Sequence, residues 1–241
     1  MNSVAGKVLR WPLRLIPPGT RVPILQGPLR GQRWLVGSGN HGCWLGSYEM
    51  AKQRLFGETV APATIVFDIG AHVGFYTLLA SLLVGHAGQV FAFEPLPQNL
   101  LYLREHLRLN KIANVSVIDA AVTSQRGTVN FVGGPSTSTG HIAAQGQHQV
   151  RGTSLDDFVF QENNPPPDYL KIDVEGAEVE ALAGGRAVLA RWRPTIFLAT
   201  HSEQLRHSCC QLLLALGYSL GTIGKPSEIL ASHDRQVKQR A

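Results

Sequence analysis

Three acids close three separate apolar runs: Asp68 in "VFDIG", Glu94 in "VFAFEP" and Asp173 in "LKIDVEG". A carboxylate at the end of a buried strand accepts hydrogen bonds from a ligand, and one left there without a partner is costly. After Asp68 the chain turns through Gly70, Ala71 and Gly74 and becomes helical. The free N–H groups of a helix start, with their partial positive charge, then face whatever the turn encloses. Glu94 lies 26 positions beyond Asp68, where nucleotide-binding sheets carry the acid that receives both hydroxyls of a ribose. In "LKIDVEGAE", Leu170, Ile172 and Val174 alternate with Lys171, Asp173 and Glu175, so three ionisable groups share one side of a strand end. A parallel strand covered on both faces tolerates this only where its polar side opens into a site.

The turn discriminates between two nucleotides. A dinucleotide fingerprint, G-x-G-x-x-G, needs its second glycine so that the backbone can approach a pyrophosphate. Here His72 occupies the second glycine position and Phe75 the third. S-adenosylmethionine has no phosphate, and its sulfonium and amino acid tail fit near Asp68 and the Gly70 turn, so the residues favour S-adenosylmethionine. Methyl transfer from a sulfonium is an in-line displacement for which alignment supplies most of the catalysis. An alcohol acceptor benefits from a base within hydrogen-bond reach, and Asp173 or His201, which follows the strand "TIFLAT", could serve. His72 lies beside the turn as a further candidate. Glu178, in the first turn of the next helix, suits the helix dipole and reads as structural. A divalent ion on Asp173, Glu175 and His201 is chemically possible, but no dense carboxylate cluster is visible and no metal is assigned.

The elements that must position these residues begin at Thr64. Short β-rich runs, "TIVFDIG", "QVFAFE" and "NVSVID", alternate with helical periodicity over Gly74 to Val84 and Gln98 to Asn110. This is the pattern of a doubly wound α/β fold, a mostly parallel sheet covered on both faces. Leu100, Leu103 and Leu107 form the buried stripe of the second helix. "GTVNFV" reads as a strand, and the polar, Gly-rich stretch from Gly133 to Val150 as a loop that selects the acceptor. "YLKIDVEG" and "TIFLATH" add buried strands; Ala177 to Arg191 reads helical with an interruption at Gly184 and Gly185; a helix from about Ser202 to Leu216 and "YSLGTI" follow.

With 241 residues the chain holds one main domain, 62–241, behind an irregular extension, 1–61, with a few short strands and a possible lid in "GCWLGSYEMAKQRLFG". The net charge of +5 belongs to the extension, where Lys7, Arg10, Arg14, Arg21, Arg30 and Arg33 precede the first acid, Glu49. Basic residues interleaved with aromatics are absent from the remainder, so nucleic acid is not an expected partner. No apolar run approaches the roughly 20 residues of a membrane span. Cys43, Cys209 and Cys210 show no disulfide framework or CxxC spacing, which fits a reducing, cytoplasmic setting.

"VFDIGAHVGFYT", "VFAFEPLPQNLLYLREHLRLN", "AAVTSQRGTVNF", "TSLDDFV" and above all "YLKIDVEGAEVEALAGG" resemble, in order, the FkbM family of S-adenosylmethionine-dependent methyltransferases. The resemblance spans roughly Ala63 to Tyr218. It implies the class I methyltransferase fold, Rossmann-like, with a seven-stranded sheet whose last strand is antiparallel, and methylation of a hydroxyl on a sugar, polyketide or other small natural product; the polarity of the loop and extension also fits a glycolipid head group. By position it sets Asp68, Gly70, Ala71 and Gly74 around the methionine part of the cofactor, Glu94 at the ribose, and Asp119 and Ala120 beside the adenine. One departure stands at Ala199 and Thr200, where many members carry an acid before the histidine. It leaves the base open and keeps a non-catalytic nucleotide-binding module of the same fold as the alternative.

Overall fold

The computed structural model describes residues 15–132, 141–142 and 148–233. Lys7, Arg10, Arg14 and most of the expected acceptor loop lie outside the described residues. Two short antiparallel strands, β1 (Arg21–Pro23) and β2 (Arg33–Leu35), precede helices α1 (His41–Leu45) and α2 (Met50–Thr59). The alternating part follows as β3 (Ile65–Ile69), α3 (Phe75–Val84), β4 (Gln89–Phe93), α4 (Pro97–Leu109) and β5 (Val115–Ile118). Next come β6 (Ala121–Val122), β7 (Gly127–Val132), β8 (His141–Ile142), β9 (His148–Thr153) and a π-helical turn over Asp157–Gln161. The chain continues through β10 (Tyr169–Ile172), α5 (Glu178–Ala183), α6 (Arg186–Trp192), β11 (Thr195–Ala199), α7 (Glu203–Ala215), β12 (Ser219–Ile223) and β13 (Lys225–Ser232).

Seven strands form the main sheet in the order β12-β13-β11-β10-β3-β4-β5. β11, β10, β3, β4 and β5 are parallel neighbours, and β13 runs antiparallel to both β11 and β12. The expected mostly parallel sheet with a reversed last strand is therefore present. Side chains alternate across it as the period of two requires. Val66, Val90, Ala92 and Phe197 pack on the side of α2, α3 and α4. Phe67, Ile69, Leu170, Ile172 and Leu198 pack on the side of α5, α6 and α7. On that second face Phe67, Phe91, Phe93 and Phe158 meet edge-on or tilted, with centroids 4.9–5.6 Å apart. Each such pair adds about 0.5–1.5 kcal/mol beyond its burial.

The structure departs from the sequence pattern in two places. The stretch expected as a loop from 133 to 150 contains β8 and the start of β9, which pair with β7 in a second, four-stranded sheet, β6-β9-β7-β8. A ladder is satisfied by backbone donors and acceptors, so its polar residues do not prevent it. β13 was not foreseen, because its first residues are polar and exposed; only Ile229, Leu230 and Ala231 enter the core, between β11 and β12. The extension carries the expected short strands and helix, and it packs firmly. Trp34 stacks on His106 at 3.9 Å, and Phe56 lies 4.8 Å from Phe197 and 5.5 Å from Tyr76; Trp34 and Phe56 have no exposed surface. No helix among the described residues is long and apolar enough to cross a membrane.

Candidate functional site

The carboxyl ends of β3, β4 and β10 are drawn together by one turn. Gly70 has φ +77°, and a Cβ there would stand 1.9 Å from the carbonyl oxygen of Asp173, so only glycine lets the ends of β3 and β10 approach this closely. The N–H groups of Gly70 and Ala71 both donate to Phe93 O, at 3.0 and 2.9 Å. The next N–H, of His72, donates to Glu94 Oε2 at 2.8 Å. Gly74 caps α3 with φ +93°, and a Cβ there would meet Leu103 Cδ1 at 2.5 Å. The two glycines are thus fixed by backbone conformation and by close approach together.

Glu94 is buried at the end of β4. Besides the His72 bond, its Oε1 receives Leu96 N at 2.9 Å and Asn99 Nδ2 at 3.1 Å. Burial pushes its carboxyl above the usual range, opposed by these three donors. About four acceptor positions exist on a carboxylate, so one remains, on Oε2.

Glu94, Gly70, Ala71, Ala120, Asp173 and Glu175 all border one cavity of about 580 Å³, within the range usual for small-molecule sites. Phe93, Leu96, Ala121 and Val122 give it an apolar wall near Ala120. Three expected cofactor contacts stand elsewhere. Asp68 lies beneath the turn, with Oδ2 receiving Thr77 Oγ1 at 2.6 Å. Gly74 shapes the helix start from outside the lining. Asp119 is half-exposed and paired with Arg104. The opposite wall, which sequence motifs did not mark beyond a possible lid, comes from the extension: Gly37, Ser38, Gly39, Asn40, Cys43 and Tyr48. Burial pushes the Cys43 thiol up to about 12, so it is no nucleophile at neutral pH.

At one end of the cavity the polar side of β10 meets the end of β11. Lys171 Nζ donates to Gly70 O at 2.9 Å, and stands 3.3 Å from Asp68 Oδ1 and 3.8 Å from Asp173 Oδ2. Burial opposes the charge of both Lys171 and Asp173, but their mutual attraction, with Asp68 on one side and Lys52 on the other, holds Lys171 above its ordinary value and Asp173 below. His201 sits beside them. Its Nδ1 is 2.6 Å from Glu178 Oε1, and its Nε2 is 3.6 Å from Asp173 Oδ1 and 3.4 Å from Glu175 Oε2. The bond to Glu178 is the main cause that raises His201 to about 8. Burial raises the Glu175 carboxyl. Glu178 is fully buried and also takes the Gly176 N–H at 3.0 Å. The structural reading of Glu178 is therefore incomplete, because it fixes which way the His201 ring faces. His72, at the cavity wall, is lowered to about 4 by burial and by the charge of Lys171, and stays neutral.

A second layer of charge lies under this end and was not legible in the sequence. Lys52 of α2 is buried, with Nζ 2.6 Å from Glu228 of β13 and 3.2 Å from Glu49. Tyr76 Oη donates to Glu49 Oε2 at 3.0 Å, and the Tyr76 ring lies 5.6 Å from both Lys52 Nζ and Lys171 Nζ. The extension is thereby joined ionically to the last strand of the sheet.

The sequence matches the profile described as the Methyltransferase FkbM domain over residues 68–220. A curated relative, the hexuronic acid methyltransferase AglP of Haloferax volcanii, is 28% identical over 133 residues, covering 54% of this chain and 54% of that protein. Among solved structures, the methyltransferase FkbM from Methylobacillus flagellatus superposes with a TM-score of 0.56 at 17% identity, over 80% of this chain and 55% of that one. The chain therefore spans about half the length of these two relatives, and the superposition speaks to the fold, that of a class I methyltransferase. The matched segment runs from Asp68 of the glycine turn to Leu220 of β12 and contains the whole Asp173–Glu175–His201 cluster; the chain belongs to the FkbM methyltransferase family.

Proposed function

We propose that the chain is an S-adenosylmethionine-dependent O-methyltransferase acting on a hydroxyl of a small molecule. One observation carries this reading: a single cavity is bordered at once by Glu94 with the apolar residues near Ala120, by the Gly70 turn, and by Asp173 and Glu175, with His201 beside them. The adenosine would lie along the first, the sulfonium past the turn, and the acceptor hydroxyl against the cluster. The oxygen then attacks the methyl carbon as the sulfur–methyl bond breaks. Its electron pair stays on sulfur, and the hydroxyl proton leaves through the cluster to solvent. Most of the rate enhancement comes from holding oxygen, carbon and sulfur in line. The Haloferax volcanii relative is named for a hexuronic acid, which supports a sugar acid as the first acceptor class to try.

The test is methyl transfer from labelled S-adenosylmethionine to a panel of hexoses, hexuronic acids and glycolipid head groups, with the product located by mass spectrometry. Methylation at a hydroxyl, lost in Asp173→Ala while binding of S-adenosylhomocysteine persists, is the expected result. Turnover unchanged in Asp173→Ala, or a methyl group on carboxylate or nitrogen, removes the reading.

A further inference from the structure

We propose that Asp173 Oδ1, Glu175 Oε2 and His201 Nε2 form a binding site for one divalent cation at the acceptor end of the cavity. One ligand atom from each of the three residues lies within 4.8 Å of the others. Asp173 and His201 lie just past the ends of the adjacent parallel strands β10 and β11, and Glu175 lies in the turn that follows β10. The His201 Nε2 distances of 3.4 and 3.6 Å exceed a good N–H···O bond of about 2.7–3.2 Å. They match instead the spacing of two ligands that share one ion at about 2.0–2.2 Å each.

The far side of the ring gives the independent argument. His201 Nδ1 is bonded to Glu178, a fully buried carboxylate whose other oxygen, Oε2, has no hydrogen-bond partner. A carboxylate behind an imidazole holds Nδ1–H and turns Nε2 away from it, the arrangement that orients metal-ligating histidines, and the ion takes the Nε2 lone pair as its proton leaves to solvent. Two carboxylate oxygens with one imidazole suit a hard or borderline divalent ion. Three protein ligands leave positions open, which two neighbouring oxygens of the acceptor would fill. The site therefore points to an acceptor with a vicinal diol or a hydroxyl beside a carboxylate. A coordinated hydroxyl loses its proton to water more readily, and the oxygen then takes the methyl group as in the reaction above.

The acceptor class rests on the O-methyltransferase reading; the cation site does not. The experiment is a Mn²⁺ titration of the chelator-stripped full chain, with free Mn²⁺ followed by its paramagnetic resonance signal and S-adenosylhomocysteine binding measured on the same samples. The expected result is one saturable ion per chain, with affinity at least about ten-fold weaker in Glu175→Gln and in His201→Gln, and reduced by about ten-fold in Glu178→Gln. Retained S-adenosylhomocysteine binding shows that these variants are folded. No saturable binding, or binding indifferent to the substitutions, overturns the site. Mn²⁺ bound with no transfer to any hydroxyl would remove the acceptor reading and leave the cation. Transfer that persists in the stripped chain with no Mn²⁺ bound would remove the cation and leave the methyl transfer.

Discussion

Lys171 and Asp68 face each other in register across β10 and β3, with Nζ 3.3 Å from Oδ1 and both side chains almost wholly buried. The ammonium is shared with Asp173 and with the carbonyl of Gly70. One lysine therefore ties the strand that leads into the Gly70 turn to the strand that ends beside Asp173. Breaking such a pair by removing one partner is far more costly than never having built it, because the other charge stays buried.

Lys171→Met is expected to destabilise the chain by about 3–5 kcal/mol. Two carboxylates, Asp68 and Asp173, then lose their buried counter-ion. Urea unfolding followed by far-ultraviolet circular dichroism measures the loss; a midpoint close to that of the native chain would mean that the pair is dispensable.

Gly70→Ala places a methyl group 1.9 Å from the Asp173 carbonyl oxygen at φ +77°. The ends of β3 and β10 must separate, and the cavity loses its floor. S-adenosylhomocysteine affinity should fall at least about ten-fold, about 1.4 kcal/mol, even where the fold survives. Titration calorimetry decides, and an unchanged affinity would detach the turn from the cofactor.

Glu94→Gln keeps the shape but turns one acceptor oxygen into a donor facing N–H groups of His72, Leu96 or Asn99. One buried donor is left unsatisfied, at about 1–3 kcal/mol. Both the melting temperature and the cofactor affinity should drop. A variant that melts lower yet binds S-adenosylhomocysteine as tightly would restrict Glu94 to holding the two loops.

His106 gives the expected acid response. It is fully buried, with Nδ1 2.7 Å from Val73 O and Nε2 receiving Leu35 N at 3.1 Å, and burial lowers it to about 4. Above the ordinary value of about 6.5 both folded and unfolded chains hold it neutral. As the pH falls below that, only the unfolded chain takes the proton, so stability declines until about pH 4, by about 3 kcal/mol from this group. Denaturant midpoints between pH 7.5 and 4.5 check the sign. His72, lowered likewise, adds to this slope and His201, raised to about 8, opposes it, so the His106 share is the part of the change that His106→Gln removes; a slope unchanged in that variant would show that His106 titrates normally.

What the sequence made legible follows from where parallel sheets place chemistry. Gly70, Glu94, Ala120 and Asp173 stand at the carboxyl ends of neighbouring strands or just past them, and runs such as "TIVFDIG" and "QVFAFE" mark those ends. The main sheet apart from β13 was legible for the same reason. The pairing of Asp68 with Lys171 was not legible, because an acid at a strand end has the same pattern whether it faces a cavity or a buried lysine. Glu178 concealed its partner because an acid in the first helical turn already has a local explanation. Lys52 and Glu228 carry no shared pattern, since they are brought together by the reversed insertion of β13 between β11 and β12.

That insertion orders events during synthesis. The wall formed by Gly37 to Tyr48 and the helix behind it emerge early, yet Lys52 has no sheet-borne carboxylate until Glu228 has been made. A growing chain therefore carries the glycine turn and the acid cluster before it carries that partner. Lys52, buried beside Glu49 in the helix before the first parallel strand, thus gains its second carboxylate only from the strand inserted between β11 and β12.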